Sequence, residues 1–381
     1  MPRPNILLIM TDHFRRDAIG RWTPNLRRLA NDGAQFHRAY CPAPLCMPSR
    51  TAIATGLLPS QNGVCGNMAE PIGPALRSDT FPSHLRQAGY RTALVGKHHW
   101  IDRYGLNVDV TRDDETIQGF GFDDVFQVVD EMEGMHNEDE LTHHLRREGR
   151  LDRYREQARQ HAHRCGPFDM PEEDYADAFI AANACRWLDE HGRPDPPWYL
   201  NVSFVGPHPP FWHPGECEVS PDEVNLPVIG AEDTPALRQR RAHYLQKCAL
   251  IDRYVGRLID KLDEHGRREN TLIVFVSDHG DMLGDFGIWD KRYFYEQSVG
   301  VPLIMAGPGV PRGDRGLGGS QRRDLVSLLD LYPTLLAAAG VDAAEASPHR
   351  GRRFGINLFE LFEPGSRAGH DSIYAELGTH A

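Results

Sequence analysis

Short apolar runs alternate with amphipathic helical patterns along the chain, and this alternation constrains the fold more than any other feature. Apolar runs of this length predict buried strands, whereas apolar residues three or four positions apart predict helices packed on one face. The predicted strands are Asn5–Met10, Arg91–Val95, Trp198–Val205, Thr271–Val276, Val301–Met305 and Ser372–Ala375. The predicted helices are Pro24–Gly33, Ser83–Gly89, Glu173–His191, Leu245–Leu262 and Leu325–Ala339. This order predicts an α/β fold with a doubly wound, mostly parallel sheet flanked by helices.

One segment departs from the alternation. Residues 130–171 are rich in Glu, Arg and His and poor in aliphatic side chains. That composition favours a polar helical excursion or lid without a core of its own. The whole chain, 1–381, is therefore interpreted as a single α/β domain, although its length would also allow two or three smaller domains.

The charge balance limits the partners. The chain has 42 Lys and Arg against 54 Asp and Glu, a formal net charge of −12. Nucleic-acid binders usually cluster basic residues, so the balance argues against nucleic acid as a partner. No apolar run approaches the roughly 20 residues that a membrane helix needs.

The N-terminal apolar run is too short for a secretory signal, because Asp12 and His13 follow it directly. The seven cysteines are an odd number without a repeated CxxC spacing. This pattern favours free thiols in a reducing compartment, so we expect a cytoplasmic protein.

Two Asp-His pairs follow predicted strands. Asp12-His13 comes after the first strand, and Asp278-His279 comes after Thr271–Val276. In open α/β sheets ligands bind beyond the carboxyl ends of the strands. Carboxylate and imidazole groups brought together there predict a divalent-metal site. The alternative for each pair alone is a polar cap on the following helix.

Cys46 stands just before a stretch that can open a helix, Pro48-Ser49-Arg50. A helix N-terminus and an arginine together favour an anion beside the cysteine. The alternative is a small buried apolar residue, which is the commoner role of a single cysteine.

The Cys46-Met47-Pro48-Ser49-Arg50 segment resembles the signature of the type I sulfatases, in the alkaline phosphatase superfamily. Six other blocks resemble that family in the same order: PNILLIMTD at 4–12, VGKHHW at 95–100, GPHPPF at 206–211, SDHGDMLGDFGIWDK at 277–291, VPLIMAGPG at 301–309 and LLDLYPTLLAAAG at 328–340. The resemblance implies an alkaline-phosphatase-like sheet and a sulfuric ester hydrolase.

The resemblance also implies the site. In that family the signature cysteine is oxidised to formylglycine, so a formylglycine-generating enzyme is an implied partner of Cys46. The implied metal ligands are Asp12, His13, Cys46 as formylglycine, Asp278 and His279. The implied catalytic residues are Cys46, Arg50, Lys97, His99, His208 and Lys291. Ca²⁺ is the implied ion, but His13 stands where the family usually has Asp, and an imidazole also suits Mn²⁺ or Zn²⁺.

The implied reaction is hydrolysis of a small-molecule sulfate ester. One hydroxyl of the formylglycine hydrate attacks sulfur, and a histidine gives a proton to the leaving alkoxide. Loss of the proton of the second hydroxyl then re-forms the aldehyde and expels sulfate. A phosphonate monoester hydrolase or phosphodiesterase of the same superfamily is the alternative enzyme. A non-catalytic, sulfatase-like binding protein is the third reading.

The family usually continues past a strand resembling Ser372–Ala375 into a small C-terminal sheet subdomain, whereas this sequence stops at Ala381. The subdomain is therefore expected to be missing or truncated. Because an open strand edge promotes association, a second protomer is expected to cover that edge in a homo-oligomer.

Overall fold

An eight-stranded sheet with helices on both faces organises the part of the chain that the structure describes. The computed structural model describes residues 3–101, 107–162, 164–192, 195–312, 319–366 and 368–378. The strands in chain order are β1 Asn5–Thr11, β2 Ala34–Tyr40, β3 Arg91–Gly96, β4 Asp124–Gln127, β5 Gly166–Pro167, β6 Trp198–Ser203, β7 Trp212–His213, β8 Thr271–Ser277, β9 Leu303–Ala306 and β10 Ser320–Ser327.

The large sheet has the strand order β10-β2-β9-β8-β1-β6-β3-β4. Its pairs are parallel except at β9, which runs antiparallel to β2 and to β8. The predicted α/β fold with a mostly parallel sheet is therefore confirmed. β5 and β7 form a separate two-stranded sheet.

Helices flank the large sheet. They are α1 Pro24–Asn31, α2 Cys46–Thr55, α3 Pro59–Asn62, α4 Pro74–Arg77, α5 Phe81–Gln87, α6 Asp114–Gln118, α7 Glu140–Arg147, α8 Leu151–His161, α9 Ala176–His191, α10 Pro235–Glu264, α11 Glu296–Val299, α12 Leu331–Ala338 and α13 Ala343–Ala346. α10 begins ten positions before the predicted Leu245, with the Thr234 side chain accepting from Leu237 N–H as its N-cap.

The central strand β1 is buried on both faces, and its side chains alternate between two core layers. Leu7 and Ile9 belong to a layer built with α1, α9 and α10. Ile6 and Leu8 belong to the opposite layer, built with α2, α5 and α12. Because strands with both faces covered need continuous apolar runs, β1 and β8 were readable from sequence.

The segment 130–171 contributes helices α7 and α8. Their apolar sides, including Leu145 and Tyr154, are buried in the same core layer as α9 and α10. Most charged residues of the two helices, such as Arg146 and Arg153, are exposed, whereas Glu131 and Asp139 of the same segment are buried. The segment thus packs onto the main core through a narrow apolar face.

Two sequence expectations were wrong. The predicted helix Leu325–Ala339 begins only at Leu331, because Ser320–Ser327 is β10, an edge strand paired with β2. Ser372–Ala375 is not a strand: Tyr374 is 65% exposed, and the chain nearby is held by the Glu376 carboxylate, which accepts from Ser60 N–H and Oγ–H.

Among the described residues, none of the helices combines the length and apolar character needed to cross a bilayer.

Candidate active site

A polar cluster lies where four parallel strands end on one edge of the sheet. Asp12 and His13 follow β1, Asp278 and His279 follow β8, and Lys97 follows β3. The loop after β6 supplies His208, and the first turn of α2 supplies Cys46. The structure therefore brings together residues that lie up to 279 positions apart in sequence, from Asp12 to Lys291.

Cys46 is the first residue of α2 and is buried. Its Sγ lies 3.1 Å from His279 Nε2 and 3.7 Å from Asp12 Oδ1. Burial and the Asp12 carboxylate raise the pKa of the thiol, whereas Lys291 and His279 lower it. The lowering effects are larger, so the pKa falls to about 7. The site thus favours negative charge at residue 46, as a site for an anionic group requires.

Four side chains could hold a divalent ion. Ligand atoms of Asp12, His13, Cys46 and His279 all lie within 4.8 Å of one another, and all four residues are buried. The second ring nitrogen of each imidazole is already fixed. His13 Nδ1 lies 2.7 Å from Asp281 Oδ2, and His279 Nδ1 lies 2.8 Å from Gly280 O. Such anchoring is typical of metal-binding histidines, so these residues fit a metal.

Asp278 lies beside this group of four rather than within it. Its Oδ2 accepts from Arg50 Nε at 2.7 Å, and its Oδ1 accepts from His279 N–H at 2.8 Å. Burial and the nearby Asp12 raise the pKa of Asp278. Arg50 therefore orients the Asp278 carboxylate. Asp278 Oδ1 lies 3.7 Å from His279 Nε2, the ring nitrogen that faces the group of four.

Arg50 is buried one helical turn after Cys46 and contacts groups at the ends of four strands, including Asp278 after β8. Nη1 donates to Lys97 O at 2.9 Å and to Ser203 Oγ at 2.8 Å, and Nη2 lies 3.6 Å from Asp12 Oδ2. Burial lowers the pKa of the guanidinium, but Asp278 and Asp12 outweigh it and raise the pKa. Arg50 thus fixes the position of the helix that carries Cys46.

Lys97 places an ammonium group against Asp12. Its Nζ lies 2.7 Å from Asp12 Oδ2 and 3.2 Å from Asp130 Oδ2. Although burial lowers the pKa of Lys97, these carboxylates raise it well above its usual value. Asp130 was not among the predicted site residues. Asp130 is the first residue of the segment 130–171. Its role depends on its contact with Lys97, which lies 33 positions earlier in the sequence.

Lys291 and His208 form a second cationic element. Lys291 Nζ lies 2.6 Å from His13 Nε2 and 3.2 Å from His208 Nε2. His208 Nδ1 lies 2.6 Å from Pro209 O, so Nδ1 carries the proton and Nε2 carries the lone pair. Burial and Lys291 hold the pKa of His208 well below its usual value, while Cys46 and Asp290 raise that of Lys291 against burial. The proton of this pair therefore resides on Lys291 Nζ.

His99 stands two residues after Lys97 with a positive φ of 51°. Burial, Lys97 and Arg50 lower its pKa to about 3, so the ring is neutral at neutral pH. His98 Nε2, by contrast, lies 2.7 Å from Gln127 Oε1. Both histidines border a small cavity of about 60 Å³ that opens to solvent. Its other lining residues include Lys97, Val110, Val129, Asp130, Glu133 and Asn137.

A buried ion pair behind the site was not predicted from sequence. Lys247 Nζ on α10 lies 2.6 Å from Glu131 Oε1 and 3.4 Å from His208 O. Both side chains are about 96–97% buried. The pair ties α10 to the segment after β4 and to the loop that carries His208. Only the tertiary fold brings these residues together, because they are 116 positions apart.

Removing one partner of this pair should destabilise the protein strongly. In Lys247→Met the Glu131 carboxylate stays buried without its ammonium partner, and such losses cost about 3–5 kcal/mol. The free energy of unfolding in urea measures this. Arg153→Met is the matched control, because the Arg153–Asp169 pair is 53% and 80% exposed and should cost less than about 1 kcal/mol. Equal losses in the two variants would contradict the assignment.

Comparison with known proteins gives consistent results. A family model described as Sulfatase matches residues 4–341. A choline-sulfatase of Rhizobium meliloti is 32% identical over 390 residues, covering 91% of this chain and 69% of the relative. An arylsulfatase of Clostridium perfringens is 28% identical, covering 98% and 81%. A crystal structure of the phosphonate monoester hydrolase of Agrobacterium radiobacter has a TM-score of 0.71 at 26% identity, covering 89% and 74%.

Proposed function

Because this chain belongs to the sulfatase family, within the alkaline phosphatase superfamily, we propose that it hydrolyses a small organic sulfate ester through a formylglycine formed from Cys46. The observation that carries the proposal is the buried group of Asp12, His13, Cys46 and His279, with two lysine ammonium groups beside it.

We propose that one divalent ion binds at Asp12, His13, His279 and residue 46, with Asp278 as a further ligand beside them. The two imidazoles favour Mn²⁺ or Zn²⁺ over the Ca²⁺ implied by the resemblance, because Ca²⁺ prefers oxygen ligands. When bound, the ion would supply Lewis acidity to the oxygens of the ester. Formylglycine, as its hydrate, would supply a hydroxyl nucleophile and a second hydroxyl through which sulfate can leave.

The other residues neutralise charge. As sulfur becomes five-coordinate, negative charge grows on its oxygens, and pre-positioned cations stabilise that charge without reorganising. Lys97 and Lys291 are held as ammonium groups. Asp12 and Asp130 raise the pKa of Lys97, and Cys46, Asp290 and Asp12 raise the pKa of Lys291. Arg50 faces Asp278 and Asp12, so its role in the proposal is to hold those carboxylates and α2 in place.

The leaving alkoxide needs a proton. Lys291 Nζ holds one 3.2 Å from His208 Nε2, whose Nδ1–H is committed to Pro209 O. Lys291 can therefore donate directly, or through His208, to the departing oxygen. His99, neutral and beside Lys97, lines the cavity in which the leaving group would lie.

Matched aryl sulfate and aryl phosphonate monoesters test the reaction type. Sulfuryl and phosphoryl groups have similar shapes, and the similarity to a phosphonate monoester hydrolase makes that activity the second candidate. We expect kcat/KM for the sulfate to exceed that for the phosphonate by at least about tenfold, a difference of roughly 1.4 kcal/mol in transition-state stabilisation. A preference for the phosphonate would replace the first candidate with the second. Choline sulfate belongs in the same screen, given the name of the 32% identical relative.

The proposal includes three further elements. A formylglycine-generating enzyme would modify Cys46, the protein would act in the cytoplasm, and it would form a homo-oligomer. Light scattering at working concentration tests the last element, and a strictly monomeric species would overturn it.

A further inference from the structure

Outside the candidate active site, two imidazoles and a thiol meet in the interior. They belong to His213 in β7, Cys217 in the loop that follows, and His243 in α10. Their ligand atoms all lie within 4.8 Å of one another. His213 is fully buried and His243 is 9% exposed, while Cys217 is partly buried. We propose that this cluster is a second metal site, specific for Zn²⁺ or a similar transition-metal ion.

The geometry of the two rings supports this assignment. His213 Nε2 lies 2.9 Å from His243 Nδ1, and the rings are nearly parallel, with an interplanar angle of 26°. Without an ion, the two facing nitrogens share one proton. An ion between them would instead take a lone pair from each. At metal–nitrogen distances of about 2.0–2.1 Å tetrahedral ligands lie roughly 3.3–3.4 Å apart, so the rings would need to separate only slightly.

The surroundings leave the ring nitrogens available for coordination. Gln239 Nε2 donates to His243 Nε2 at 3.0 Å, and Nδ1 faces the cluster. On metal binding the amide would rotate so that Gln239 Oε1 accepts from Nε2–H and the lone pair of Nδ1 is free for the ion. Anchoring of the second nitrogen in this way is typical of metal-binding histidines. His213 Nδ1 is buried, and the backbone of Pro214 and Gly215 lies close to the imidazole.

Cys217 decides the class of ion. Its S–H donates to Val219 O at 3.4 Å, and on coordination the thiol proton would pass to solvent while sulfur binds the metal. One thiolate and two imidazoles suit Zn²⁺ and exclude Ca²⁺ and Mg²⁺, which prefer oxygen ligands. Because Cys217 is only partly buried, solvent can reach the fourth position of a tetrahedral site.

The position of the cluster gives it a role. His243 lies one helical turn before Lys247 on α10, and Lys247 Nζ contacts His208 O at 3.4 Å. Gln246 Oε1 accepts from Glu218 N–H at 2.8 Å on the same side of the helix. An ion bound to His213, Cys217 and His243 would therefore fasten to α10 the whole loop that begins at His208. Zinc would act as a structural clamp on that loop, outside the reaction itself.

Cobalt titration tests the site directly. The Cys46→Ala chain, stripped with a chelator, is titrated with Co²⁺, so that the active-site thiol cannot contribute. We expect a thiolate-to-cobalt charge-transfer band that saturates, is removed by Zn²⁺ and survives excess Ca²⁺. Cys217→Ser should abolish the band, and His243→Gln should weaken cobalt binding at least about tenfold. Cys185→Ser, which changes a partly buried thiol on α9, should leave the band unchanged.

No band in the Cys46→Ala chain, or a band that persists in Cys217→Ser, would overturn the proposal. A measurement on the unmutated chain covers the case in which a variant fails to fold. Zn²⁺ should slow alkylation of Cys217 by iodoacetamide, read by peptide mass spectrometry, and leave alkylation of Cys185 unchanged. Equal protection of both cysteines, or of neither, would also overturn the site.

Discussion

Replacement of Cys46 by alanine should reduce kcat for sulfate-ester hydrolysis by about 10³-fold or more, because it removes the nucleophile on which the reaction depends. Cys46→Ser should lose turnover to the same extent for a different reason. A serine hydroxyl can attack once, but the resulting serine sulfate lacks the second hydroxyl through which sulfate would leave. Single-turnover and steady-state rates separate the two variants.

Substrate binding should survive in both variants, because Lys97, His208 and Lys291 are unchanged. Cys41→Ala is the matched control: Cys41 is also buried, yet its thiol contacts Ser298 O rather than the site. Its activity should stay near that of the unmutated protein. If Cys46→Ala hydrolysed sulfate esters at a similar rate, a metal-activated water would have to replace the covalent mechanism.

Lys291→Met should reduce kcat by about 10²–10³-fold, the usual cost of losing one pre-positioned charge in a reaction centre. The loss should grow as the leaving group becomes less acidic, because Lys291 holds the proton that the departing oxygen needs. A series of aryl sulfates with graded leaving-group acidity measures this dependence. Lys291→Arg keeps the charge and should recover part of kcat without restoring the proton donor.

Lys261→Met is the control for Lys291→Met. Lys261 lies on α10 and pairs with Asp189 and Glu264, both at least 50% exposed, so its loss should leave kcat near the unmutated value. A loss in Lys291→Met that did not change with leaving-group acidity would assign Lys291 to charge neutralisation alone, and the proton would have to come from elsewhere.

The sequence predicted the strands that appear in it as continuous apolar runs. β1 and β8 were readable because both their faces are buried, and the Asp-His pairs at their ends followed from the rule for open sheets. β10 was missed because it is an edge strand: Arg322 and Asp324 pair with each other beside solvent, so the segment lacks the apolar pattern of a buried strand. β2 and β4 were missed for a similar reason, as neither is apolar throughout.

The site residues that were not predicted act through contacts across the fold. Asp281 stands only three positions after Asp278, but its role depends on His13, 268 positions away. The same holds for Glu131 and Lys247. From sequence, a glutamate and a lysine are expected at the surface, but in the fold the packing of α10 buries both side chains. The orientation of Asp278 could not be predicted from sequence either: its carboxylate faces Arg50 and lies beside the four closely spaced candidate ligands. Spacing along a chain shows which residues follow a strand, whereas side-chain orientation depends on neighbours from other segments.

The most direct measurement compares protein produced with and without a formylglycine-generating enzyme. For each preparation, peptide mass spectrometry gives the fraction of residue 46 present as aldehyde, and initial rates on one aryl sulfate give the activity. The account predicts that kcat rises in proportion to the aldehyde fraction and approaches zero in protein that carries only the Cys46 thiol. Turnover in thiol-only protein equal to that of the modified protein would contradict it.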